Sequence, residues 1–171
     1  ENWLPHLHVR IRATDWWDIR FSYNKTLTRP DYNYAIPSVY IQPGELECAL
    51  GNPYIRPAVS ENFDANFTFY AKKLGLITIG GFLKNISDVF YLQPTLLKNL
   101  PDTTLWEELP LDTYPGLLGG LTQFYVNSPY DAQLKGLEAE WQSNFNWLPG
   151  AWNGLVVNVN YTRVWSETKY M

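Results

Sequence analysis

Cysteine is almost missing from this sequence. Cys48 stands alone among 171 residues, so no internal disulfide can form and no thiolate cluster can hold a metal. Long hydrophobic runs are missing too: no stretch approaches the roughly 20 apolar residues that a membrane-crossing helix needs. That absence excludes helical spanning only, because a transmembrane strand hides its apolar residues by alternation. Positive charge is not in excess. The net charge is −4, which argues against a nucleic-acid partner. Enzyme chemistry lacks its usual marks: there is no Gly-rich phosphate loop, and no Ser or Cys nucleophile lies at a recognisable spacing from a histidine. Glu138 and Glu140 share a strand face, but paired carboxylates without a cleft do not make a hydrolase. His6 and His8 lie two apart on one face, and no third ligand accompanies them. Neither catalysis nor a cofactor is expected. The sequence shows no secretory leader of its own and starts abruptly at Glu1, so it reads as a piece of a longer protein.

Proline is plentiful but confined. Of twelve prolines, all but Pro5 and Pro149 fall between Pro30 and Pro57 or between Pro94 and Pro129. Proline cannot donate to a sheet ladder, so these stretches read as loops. Six strand-like runs remain, at about 6–14, 19–28, 61–72, 75–91, 131–146 and 153–166. Their connections alternate. Short turns lie at about 15–18, 72–75 and 146–153, and long loops at about 29–60 and 92–130. Loops of that length are uncommon in compact domains. Short turns on one side and long loops on the other are the habit of bacterial outer-membrane barrels.

Within the runs, apolar and polar residues alternate with the strand period of two. Leu7, Val9 and Ile11 oppose Arg10 and Arg12. Ile19, Phe21 and Tyr23 oppose Arg20 and Ser22. Phe63, Ala65, Phe67 and Phe69 oppose Asp64, Asn66, Thr68 and Tyr70. Leu155, Val157, Val159 and Tyr161 oppose Asn158, Asn160 and Thr162. In the fifth run Leu137, Ala139 and Trp141 oppose Glu138 and Glu140, and the phase swaps near Lys135-Gly136, as a bulge or a membrane exit would cause. LITIGGF, at 76–82, is apolar on both sides and declares no face. The aromatics Trp16, Trp17, Phe69, Tyr70, Phe145, Trp147 and Trp152 cluster at the three short turns, as rings do at a membrane interface. Lys25 and Arg163 break the apolar faces, roughly 15–23 Å above the short turns, where a charge costs little in a band about 25 Å tall. If the apolar face meets lipid, the polar residues Arg10, Arg12, Arg20, Asp64, Glu138 and Glu140 look into an enclosed lumen. Six strands are too few to close a bacterial barrel, so further strands are expected before Glu1 and after Met171. The competing readings are a different outer-membrane barrel, a porin or a secretion or assembly component, and a soluble β-sandwich whose Phe63, Phe67 and Phe69 face packs on a second sheet.

Several short motifs occur in order along the chain: Thr28-Arg29-Pro30-Asp31, Gly51-Asn52-Pro53-Tyr54-Ile55-Arg56-Pro57, Phe82-Leu83-Lys84, Lys135-Gly136-Leu137-Glu138 and Asn160-Tyr161-Thr162. Together they resemble the barrel of TonB-dependent outer-membrane receptors, with Ala58 standing near where that family usually has an acidic residue. The resemblance implies an all-β, antiparallel transmembrane β-barrel. Residues 1–171 would be a six-strand segment of a 22-stranded wall whose plug domain lies outside this piece. It implies a bacterial outer-membrane location and uptake of a scarce nutrient such as a ferric siderophore, cobalamin, a glycan or a peptide. The implied partners are the outer-membrane bilayer, TonB-ExbB-ExbD through the plug region, and a surface lipoprotein or other outer-membrane subunit. The long loops would face the ligand, with Tyr32, Tyr34, Tyr40, Tyr54 and Arg56 in the first and Trp106, Glu107, Glu108, Asp112 and Tyr114 in the second.

Overall fold

A computed structural model of the chain describes residues 3–36, 39–42, 47–96, 99, 116 and 119–169. The described strands are β1 (His6–Thr14), β2 (Trp17–Thr28), β3 (Val39–Gln42), β4 (Glu47–Leu50), β5 (Ala58–Ala71), β6 (Gly75–Ser87), β7 (Phe90–Leu96), β8 (Leu121–Asn127), β9 (Ala132–Asn144) and β10 (Val156–Glu167). A one-turn helix, α1 (Tyr32–Ala35), is capped by the Asp31 side chain. The chain divides into two compact units. One comprises Glu1–Leu27, Val59–Ser87 and Asp131–Met171; the other comprises Thr28–Ala58 and Asp88–Tyr130.

The first unit is a six-stranded sheet in the order β1-β2-β5-β6-β9-β10. The strands lie in chain order, and β1 and β10 are not neighbours, so the sheet is open. Register assigns a face to every strand. Phe63, Phe67 and Phe69 of β5 stand opposite Leu83, Ile79 and Ile77 of β6. Gly81, Ile79 and Ile77 in turn stand opposite Leu137, Ala139 and Trp141 of β9. The ambiguous LITIGGF thus sends Ile77 and Ile79 to the apolar face and Leu76, Thr78 and Phe82 to the other. The phase change near Lys135-Gly136 is not a bulge. β9 runs in unbroken register against both β6 and β10 from Gln133 to Gln142. The apolar band simply ends there, and one row beyond it Glu61, Asn85 and Gln133 stand side by side. The one irregularity recorded in these ladders lies between Ile11 and Thr14.

Burial in this sheet is inverted relative to a water-soluble domain. Asp18, Asn62 and Thr68 are buried, while Leu7, Ile11, Phe21, Phe63, Ile79, Leu137, Val159 and Tyr161 are exposed. Among the described residues no second sheet of this unit covers them, and a covering sheet is what a sandwich requires and a barrel wall does not. Gly75 makes the β5–β6 turn possible. Its φ is +81°, and a Cβ there would lie 2.0 Å from the Gln142 carbonyl oxygen. Gly75→Ala is therefore expected to lose more than about 1 kcal/mol, read from urea unfolding of the full-length protein. Gly154→Ala, with a φ of +89° but open space around it, carries the backbone strain alone and should lose less.

The second unit corrects the reading of the proline-rich stretches as loops. They contain a four-stranded sheet in the order β3-β4-β8-β7, in which β4 and β8 run parallel. Pro94 sits inside β7, opposite Gln123. β7 is an edge strand, where a missing N–H can point away from the ladder. The run expected at 75–91 breaks at Asp88, whose φ of 54° ends β6. Cys48, Leu50, Ile55 and Phe124 form the small buried core, and the Cys48 thiol lies 3.2 Å from the Thr122 hydroxyl.

Candidate functional site

Three surfaces carry chemistry, and the first is the apolar face. Its end beside the short turns is ringed by aromatics. Trp16 meets Trp17 and Phe69 at centroid distances of 6.1 and 5.5 Å, Trp17 meets Phe67 at 5.6 Å, and Phe145 lies between Trp141 and Trp147. The Trp141 indole donates to the Leu74 carbonyl at 2.7 Å, and that of Trp147 to the Lys73 carbonyl at 3.3 Å. Two neighbouring turns are thereby tied through rings that keep an apolar body toward the band and a polar edge toward the turn. Trp152 is exposed beside this cluster in sequence. Trp141 belongs to it as well, although it lies three residues inside its strand. At the other end Lys25 is paired with Glu61 at 3.3 Å.

The polar face is a ladder of hydrogen bonds. Asn62 donates to the Asn24 side chain at 2.7 Å and accepts from Ser60 at 2.8 Å. The Ser22 hydroxyl donates to Asp64 at 2.9 Å. At the turn end stands Asp18, read from the sequence as a turn residue. β2 starts at Trp17 instead, so Asp18 projects from the strand on the same side as Arg20. Its carboxylate is fully buried. It accepts from Arg10 through Nε at 3.2 Å and through Nη2, and from the Tyr70 hydroxyl at 3.0 Å. Arg20 Nε lies 3.2 Å from its other oxygen. Arg10 and Arg20 are directly opposite one another, and Asp18 is the charge that lets them be so. Of the other residues read as facing the interior, Arg12 is exposed, Glu138 is exposed and Glu140 is half-buried. None of these three takes part in an ion pair among the described residues.

The third surface lies on the four-stranded sheet. Tyr34 of α1 stacks on Tyr125 of β8, with centroids 3.8 Å apart and planes 16° from parallel. Beside them a pocket of about 360 Å³ is lined by Asn33, Tyr40, Leu92 and Gln123 among others. Asn52 fixes this arrangement. Its backbone N–H donates to the Tyr34 carbonyl at 2.7 Å, and its side chain donates to the Tyr125 carbonyl at 2.8 Å. The Tyr34 hydroxyl and burial together hold the Tyr125 phenol above its ordinary pKa, so it remains a neutral donor through the physiological range. Of the loop residues singled out in the sequence, Tyr34 and Tyr40 meet here. Tyr32 and Tyr54 are exposed and do not line the pocket. Arg56 pairs with Asp88 at 2.7 Å. Its backbone is clamped by Asn127, which accepts from Arg56 N–H and donates to Arg56 and Asp88 carbonyls, each at 2.8 Å. Trp106, Glu107, Glu108, Asp112 and Tyr114 lie outside the described residues. Tyr125 and Gln123 escaped the sequence reading. The alternation of LTQFYVN, with Thr122 and Phe124 turned to the core, was the signal that could have found them.

Comparison with known proteins agrees with this geometry. The chain is similar to the siderophore receptor PirA from Pseudomonas aeruginosa, at 14% identity and a TM-score of 0.68, over 96% of this chain and 28% of that one. It is also similar to a double mutant of the Serratia marcescens hemophore receptor HasR in complex with its hemophore HasA and heme, at 16% identity and a TM-score of 0.52, over 94% of this chain and 29% of that one. At such identities the likeness establishes the fold, and the chain spans less than a third of either receptor. No curated protein sequence matches it. The profile described as "TonB dependent receptor-like, beta-barrel" matches residues 1–170. Since that match takes in both the six-stranded sheet and the four-stranded one, the chain belongs to the TonB-dependent receptor β-barrel family.

Proposed function

We propose that this chain forms part of the wall and outer loops of a bacterial outer-membrane receptor that imports a scarce nutrient. The intact protein would have a 22-stranded barrel around a plug, with energy delivered from the inner-membrane proton gradient through TonB-ExbB-ExbD. The observation that carries this reading is the inverted sheet, with large apolar side chains exposed on one face and buried, hydrogen-bonded polar ones on the other. Such a sheet is stable where hydrocarbon meets one side and an enclosed polar interior the other. Two solved structures similar to the chain are a siderophore receptor and a hemophore receptor, which favours iron-bearing cargo over cobalamin, glycan or peptide. The Tyr34, Tyr40 and Tyr125 pocket supplies the stacking rings and hydroxyl groups for first capture of the ligand, and a surface lipoprotein or other subunit would sit on the same side.

The test uses the full-length protein in its own outer membrane. Deleting the gene should impair growth when one nutrient is limiting, with iron the first to examine. Restoring it should recover uptake that collapses when the proton gradient is dissipated. Tyr34→Ala and Tyr125→Ala should each raise the ligand concentration for half-maximal uptake by about 2- to 10-fold, with barrel abundance unchanged. Uptake insensitive to the gradient would instead mark a porin, and a full-length protein soluble without detergent would overturn the membrane reading.

A further inference from the structure

On the apolar face, register sets three successive rows across β5, β6, β9 and β10. The outermost holds Phe63, Leu83, Lys135 and Trp165. The middle one holds Ala65, Gly81, Leu137 and Arg163, and the third Phe67, Ile79, Ala139 and Tyr161. Small side chains occupy adjacent places only in the middle row, at Ala65 and Gly81. They floor a furrow of about 540 Å³ walled by Phe21, Phe63, Leu83 and Leu137. Two cations stand one strand beyond Leu83 and Leu137, which line it. Arg163 is directly opposite Leu137, and Lys135 is directly opposite Leu83.

These cations differ from Lys25 on the same face. Lys25 is neutralised by Glu61, whereas neither Lys135 nor Arg163 takes part in an ion pair among the described residues. The Arg163 guanidinium lies over the Trp165 ring, 4.9 Å from its centroid. Glu167 stands one row farther out, opposite Gln133. The outermost row lies eight residues above the β5–β6 turn, or about 20 Å for strands tilted near 40°, close to the far edge of a band about 25 Å tall. That is the depth at which a lipid's headgroup meets its acyl chains.

Resting on the reading of this face as lipid-exposed, we propose that the furrow is a binding site for a phosphate-bearing membrane lipid. One acyl chain lies along Ala65 and Gly81, and the phosphate is held between Lys135 and Arg163. Apolar burial and charge-assisted hydrogen bonding act together here, since two unpaired cations beside an apolar furrow complement one anionic head on one tail.

The experiment is native mass spectrometry of the full-length protein in a non-ionic detergent, with phosphatidic acid, diacylglycerol of the same acyl chains, or inorganic phosphate added. Phosphatidic acid should be retained and the other two not. Lys135→Gln with Arg163→Gln should lower that retention about tenfold or more. Gly81→Leu should also lower it by filling the furrow, and it should fold, because a Cβ at Gly81 meets nothing closer than 3.4 Å. Heat-modifiable gel mobility of each variant reports whether the barrel has folded. Equal retention of phosphatidic acid and diacylglycerol, displacement of the lipid by inorganic phosphate, or unchanged retention in the folded double variant would each overturn the proposal. Failure of the lipid-exposed reading itself would appear separately, as a protein that stays monodisperse when detergent is removed.

Discussion

Ile79→Arg is expected to destabilise the inserted barrel by about 2–4 kcal/mol, the cost of an arginine at the bilayer midplane. Ile79 is 57% exposed and stands on the apolar face between Phe67 and Ala139. It lies four residues above Gly75, or about 10 Å along the membrane normal, near the centre of a band about 25 Å tall. Phe67, Ala139 and Tyr161, which share its row, bring no acidic group, so the guanidinium must either drag water into the hydrocarbon or stretch toward a rim. The control is Asn160→Arg. Asn160 points the other way and is directly opposite Glu140, so an arginine there gains a counter-charge and should change stability by less than about 1 kcal/mol. Urea unfolding of the full-length protein from phospholipid vesicles separates the two. Equal losses would mean that the faces are not solvated differently, and the membrane assignment of this sheet would fail.

Asp18→Ala is expected to lower the folded-to-unfolded ratio in the same vesicle assay by about tenfold or more. The substitution removes the acceptor of Arg10 and the Tyr70 hydroxyl and the counter-charge of Arg20. It leaves two guanidinium groups directly opposite each other on adjacent strands, where like charges repel. Because repulsion is part of the loss, removing one arginine should restore some of it: Asp18→Ala with Arg20→Ala should be more stable than Asp18→Ala alone. A double variant no better than the single one would show that Arg10 and Arg20 are held apart by something other than this carboxylate.

The two-sided character of the large sheet was legible because a strand's period of two is unambiguous when one face is uniformly apolar. Leu7, Val9 and Ile11 declare their side without help. LITIGGF could not, because Leu76 and Phe82 fall on one side and Ile77 and Ile79 on the other. Only its register against β5 and β9 fixes it, and there Phe82 turns to the polar side and covers Gly136 so closely that a Cβ would sit 2.5 Å from its ring. Asp18 was hidden by its context, since Asp-Trp-Trp-Asp reads as a turn, and the strand start at Trp17 depends on a register irregularity that no local pattern announces. The four-stranded sheet was invisible for a different reason. β3 and β4 have four residues each, too few for alternation to register, and β7 contains a proline. Tyr34 could be named as an aromatic in a candidate ligand loop. Its partner Tyr125 depended on pairings that bridge residues more than seventy apart.

The parallel ladder between β4 and β8 has a kinetic consequence. Cys48 aligns with Thr122, and the intervening chain contains the whole β5–β6 hairpin. Closing so long a segment while it is still floppy carries a large entropic barrier, and parallel pairing offers no short turn to nucleate it. Once the hairpin has zipped, the effective length to be closed shrinks. The loop sheet is therefore expected to form late, and backbone amides of β8 should gain protection from hydrogen exchange after those of β5 and β6 in a pulse-labelled refolding experiment. The pocket beside Tyr34 and Tyr125 would then take shape only after the β5–β6 hairpin has formed.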